Sequence, residues 1–185
     1  MTINEIQDEI IEEFSELDDW MDRYQLLIDL GEDQEELPAE DKIDTNLIDG
    51  CQSRVWIVFE EHDGLLDFRA ESDALIVKGI VSLVVRAVTH HTPKEILDNE
   101  LYFIKEIGLT EHLSPTRSNG LLAMIKQIRM YALAFDAKAN ASRGDAGCSS
   151  IPIRFLSANT GTDNKKKQRS ITGWTVVFLL EKGRR

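Results

Sequence analysis

Apolar side chains stand at Ile3, Ile6, Ile10, Phe14 and Leu17, three or four residues apart, with acidic residues between them. That spacing returns to one face of a 3.6-residue helix and predicts an amphipathic helix at the N-terminus. Asp18 and Asp19 follow, where the first turn of a second helix favours negative charge. The second helix carries Trp20, Tyr24, Leu27 and Ile28 on one face, and Gly31 is expected to stop it. Glu32 to Lys42 is acidic, contains Pro38 and reads as an irregular linker.

Beyond residue 51 the period changes. Arg54 to Glu61 and Leu65 to Glu71 are rich in β-branched and aromatic residues, with His62-Asp63-Gly64 between them, which predicts a β-hairpin with a short turn. Ile43 to Leu47 is a candidate third strand. Ser72-Asp73 has the form of a helix start, with Asp73 as its cap, ahead of Ala74 to Val88. That stretch is apolar on nearly all sides, the mark of a buried helix. Thr92-Pro93-Lys94-Glu95 matches a capping box with proline at the first helical position. A short helix there should lead to another over about Asn99 to Ile107, closed by Gly108. Ser114-Pro115 can start a last helix, with Leu121, Ile125, Ile128, Ala132 and Phe135 as its apolar stripe. The sum is an α+β fold: a small antiparallel sheet of about three strands, covered by helices.

Residues 1–140 read as one domain and 141–185 as an extension. The extension opens Gly/Ser-rich, holds Lys165-Lys166-Lys167 and ends in the apolar run Trp174 to Leu180. It is expected to be dispensable for the chemistry of the first 140 residues, whether disordered or non-native in origin. Charge divides at the same boundary. The chain has 21 basic and 33 acidic side chains. From Ala141 onward there are 9 and 3, which leaves 12 and 30 in the first 140 residues, a net of −18. Such a field repels nucleic-acid phosphates and anionic membranes and suits a basic protein surface, while solubility alone is the simpler reading of it. No stretch reaches the ~18 consecutive apolar residues of a membrane span, and the acidic N-terminus lacks the features of a signal peptide. Two cysteines, Cys51 and Cys148, make no disulfide framework, so a reducing, cytoplasmic setting is expected.

Cys51 is the candidate reactive group. It follows Gly50 and precedes the first strand, in Gly50-Cys51-Gln52-Ser53-Arg54-Val55-Trp56. A thiol at such a turn can be presented to a partner, and positive charge from Arg54 would favour its nucleophilic thiolate. A buried, inert cysteine is the competing reading, and the residue alone leaves the two open. Other chemistries find little support. His90-His91 reads as a surface pair, and with His62 and His112 apart there is no zinc spacing. The acidic run from Glu32 to Asp41 has no calcium-loop pattern, and no glycine loop suits a phosphate.

From about Tyr24 to Ala134 the chain resembles the SufE family of sulfur-acceptor proteins. The resemblance is carried by Tyr24 to Gly31, Asn46 to Ile57, Ser72 to Gly79, Thr92 to Ile96, and Ile107-Gly108-Leu109 leading to His112-Leu113-Ser114-Pro115-Thr116-Arg117-Ser118-Asn119-Gly120-Leu121. It implies an architecture shared with the IscU-type iron–sulfur scaffolds. It implies that Cys51 accepts sulfur from a pyridoxal-phosphate-dependent cysteine desulfurase of SufS type, stimulates that enzyme, and passes sulfur to SufB in the SufBCD scaffold for iron–sulfur cluster assembly. No cofactor of its own is implied: the persulfide on Cys51 is transient and the pyridoxal phosphate belongs to the partner. Gly50, Gln52, Ser53, Arg54, Asp73 and Arg117 are the positions expected to support the loop or face the partner. For Gln52 and Ser53, turn geometry is the simpler role. An accessory sulfurtransferase or carrier is expected rather than a free-standing enzyme, and a homodimer is left open. The alternative is a stand-alone thiol enzyme, either a hydrolase with His112 as base or a redox catalyst.

Overall fold

The structure is a computed structural model that describes residues 1–142. The extension therefore lies, from residue 143 on, outside the described residues. Helix α1 (Ile3–Ser15) opens on a capping box in which Thr2 and Glu5 satisfy each other's backbone amides, and it buries Ile3, Gln7, Ile10 and Phe14. Helix α2 (Trp20–Asp33) is capped by Asp19, whose carboxylate accepts from the Met21 amide at 2.9 Å. Gly31 does not end this helix. It lies inside it, where a Cβ would come within 2.9 Å of the Gly79 nitrogen and the Leu75 carbonyl oxygen. Glycine there serves close helix packing, not termination.

Strands β1 (Val55–His62) and β2 (Leu65–Ser72) pair antiparallel in the register Val55↔Ser72 to His62↔Leu65. Asp63 and Gly64 both have positive φ, 54° and 84°, as a two-residue type I′ turn requires. The expected third strand is absent among the described residues. Asp44–Asn46 forms a 3-10 turn instead, and only Leu47 bridges to Trp56. A second isolated bridge joins Leu66 to His91.

Helix α3 (Leu75–Val88) is the central element, packed on α1, α2, α7 and β2, and eight of its residues are buried. The capping box before α4 (Pro93–Asp98) is realised. The helix expected over Asn99 to Ile107 shrinks to α5 (Phe103–Glu106), because the buried Gln7 side chain takes the Glu100 carbonyl at 3.0 Å and the Phe103 amide at 3.2 Å. Helix α6 (Leu109–His112) follows, then α7 (Pro115–Ser142), which buries Leu121, Met124, Ile128 and Ala132. His91 is also not the surface residue expected. It is buried, with Nδ1 2.7 Å from the Thr89 carbonyl oxygen and Nε2 3.2 Å from that of Met1. No described helix is long and apolar enough to cross a membrane.

Candidate functional site

Gly50 turns the chain with φ 87°, a left-handed conformation that costs glycine little. The turn delivers Cys51 just before β1, and the Ile48 amide closes the loop by donating to the Val55 carbonyl at 2.8 Å. On the far side, the Arg54 amide donates to the Asp73 carboxylate at 2.9 Å, and the Asp73 amide donates to the Arg54 carbonyl at 3.2 Å. Asp73 therefore does not cap α3. The residue at that cap is Ala74, without a side-chain bond, and the Ser72 hydroxyl accepts from the Ala74 amide at 3.3 Å. The Asp73 carboxylate fastens the C-terminal end of the cysteine loop.

The loop rests against the first turns of α7. The Cys51 Sγ–H donates to the Gly120 carbonyl at 3.4 Å. A Cβ on Gly120 would stand 3.0 Å from that sulfur, so glycine is what lets the thiol lie on the helix. Around it is a cavity of about 20 Å³, lined on its apolar side by Val55, Val77, Ile80, Leu121 and Met124. That is space for one atom the size of a water oxygen, not for an organic substrate. Among the described residues, no histidine or carboxylate lines it. His112, the candidate base, stacks on Trp20 with ring centroids 3.8 Å apart. No group of metal-ligating side chains occurs among the described residues.

Electrostatics correct one expectation. Half-burial pushes the Cys51 thiol up from its ordinary pKa, through lost hydration of the charged form, and no cation among the described residues offsets it. Arg54 does not lower it, because its guanidinium lies over the Trp56 ring, 4.8 Å from the centroid. Arg117 does line the cavity, with Gln52 and Ser53, and its Nη1–H donates to the Tyr24 hydroxyl at 2.9 Å. The structure thus brings Cys51, Gln52, Ser53 and Arg117 to one cavity, while Gly50, Arg54 and Asp73 shape its loop. The sequence alone places Tyr24 only on the apolar face of the second helix and assigns no role to Gly120, although both lie within the segments that carry the resemblance. Their parts depend on contacts 93 and 69 residues apart.

Residues 8–132 match the SufE family, an Fe-S metabolism associated domain. An uncharacterised SufE-like protein of Rhizobium meliloti (strain 1021) is 41% identical over 130 residues, covering 68% of this chain and 93% of that protein. The solution structure of a hypothetical protein from Thermus thermophilus shares the fold, with a TM-score of 0.60 at 19% identity, over 71% of this chain and 96% of that one.

Proposed function

The chain belongs to the SufE family, and from that premise we propose that it is a sulfur acceptor acting through Cys51. The observation that carries this reading is a half-buried thiol on a loop held by a few replaceable contacts, beside a cavity of about one atom's volume. Such a site shelters a single added sulfur. It has neither the space nor the paired base that a hydrolase needs.

The donor is a pyridoxal-phosphate-dependent cysteine desulfurase bearing a persulfide on its own cysteine. The Cys51 thiolate attacks the terminal sulfur of that persulfide. A new S–S bond forms on Cys51, the donor's S–S bond breaks, and the donor cysteine leaves as a thiolate. The Cys51 persulfide passes its outer sulfur to a SufBCD-type scaffold, and a reducing cytoplasm keeps the thiol free between cycles. Because burial disfavours the thiolate at rest, docking must expose Cys51 before attack, and that exposure is how this protein would raise desulfurase turnover.

Incubation with desulfurase and free cysteine is expected to add one sulfur, about 32 Da, to Cys51 by this exchange. Cys51→Ser should take up none while keeping the wild-type circular dichroism and melting curve. Desulfurase stimulation that survives in the Cys51→Ser protein would overturn the reading.

A further inference from the structure

Arg117 sits in the first turn of α7, where the positive end of the helix dipole disfavours a cation. It is nevertheless held there, donating to the Tyr24 hydroxyl, and it makes no ion pair among the described residues. It is also the one cationic side chain among the described residues that lines the Cys51 cavity. A positive charge that pairs with no carboxylate among the described residues, on the wall of an apolar cavity, suits an anion. The resting thiol is not that anion, since burial keeps it neutral. The outer sulfur of a persulfide is a better fit, because a persulfide ionises more readily than its parent thiol.

Tyr24 is a rigid anchor for this cation. The turn of α2 that leads to it is fixed by the stacking of Trp20 on His112 and by Arg23. The Arg23 Nε–H donates to the Leu17 carbonyl at 3.0 Å, and its Nη1–H to the Ile107 carbonyl at 3.4 Å. We propose that Tyr24 is a positioning residue that holds Arg117 on the cavity wall as the counter-charge for the anionic outer sulfur of a Cys51 persulfide. The inference rests on the sulfur-acceptor reading and adds to it a residue 27 positions upstream of the thiol.

The test uses the full chain in a Cys148→Ser background, so that Cys51 is the one thiol. Inorganic polysulfide loads it: the Cys51 thiolate takes the terminal sulfur atom, and a polysulfide one sulfur shorter leaves. Mass spectrometry then follows alkylation of the outer sulfur by iodoacetamide across pH, in the parent protein, Tyr24→Phe, Arg117→Gln and the double variant. Each single variant should move the alkylation midpoint up by about half a pH unit, about a threefold slower reaction on the acid side. The double variant should move it no further, and the profile of the unloaded thiol should stay put. An unmoved midpoint in both single variants overturns the proposal, as does a Tyr24→Phe shift that persists on the Arg117→Gln background. Normal loading in those cases leaves the acceptor reading standing. Failure of the parent protein to take up sulfur brings down both.

Discussion

Two contacts decide how Cys51 is presented, and neither is made by its sequence neighbours alone. Gly120 leaves room for the sulfur, so Gly120→Ala should push the thiol off the helix. Several-fold faster alkylation by iodoacetamide is expected, with a stability loss of about 1 kcal/mol from overpacking. Asp73→Ala removes the acceptor for the Arg54 amide and should likewise release the loop, at about 1 kcal/mol in urea unfolding. An alkylation rate equal to wild type in both variants would show that the loop is held by something else. The pH dependence has a definite sign. The folded pKa of Cys51 is raised, so the thiolate appears at higher pH in the native protein than in the urea-unfolded chain. The neutral thiol's preference for the fold is fully present below the unfolded pKa and is lost as pH rises through the folded one. Parallel alkylation profiles in native buffer and in urea measure the gap directly. Arg54 shows why the residue scale resists reading from a string: three residues from a thiol in sequence, its guanidinium is drawn to the Trp56 ring instead.

At the scale of elements, the close approach of α2 and α3 sets the frame on which the loop is mounted. A Cβ on Gly79 would fall 1.8 Å from the Leu27 carbonyl oxygen. Gly79→Ala should therefore separate the two helices and cost about 3 kcal/mol or more, seen as a lowered urea midpoint. A midpoint within error of wild type would mean that the helices can slide apart freely. The hairpin was legible beforehand, since His62-Asp63-Gly64 stands between two β-rich runs, whereas its register and two-residue turn came with the structure. The Thr92 capping box was legible for the same reason, its partners being three residues apart. The stretch from Asn99 to Tyr102 was not, because the Gln7 amide reaches it from α1 and takes up backbone groups that a helix would have used. His91 follows the same rule: its burial depends on Leu66 and Met1, far from it in sequence.

For the molecule as a whole, the first 140 residues carry a net charge of −18. Association with a basic desulfurase surface would be steered by that field, which salt screens to about 10 Å at 0.1 M. Raising sodium chloride from about 0.05 to 0.5 M, a tenfold rise that shortens the screening length about threefold, should increase the protein concentration needed for half-maximal desulfurase stimulation. The maximal stimulation should change less. A half-saturation point indifferent to salt would argue that contact is apolar and that the acidic surface serves solubility alone.

The amino-acid order by itself settled whatever is encoded within a few residues: helical and strand periods, the short hairpin turn, the proline-led cap, and a cysteine placed at a turn before a strand. It also carried the segments that mark the family. Tertiary structure alone decided what surrounds the sulfur. Gly120, Arg117, Val77 and Met124 reach the cavity from α3 and α7, and Tyr24 reaches Arg117 from α2. The physical reason is that hydration, charge and free volume at a side chain depend on which atoms lie within a few ångströms of it, and here most of those atoms arrive from distant parts of the chain.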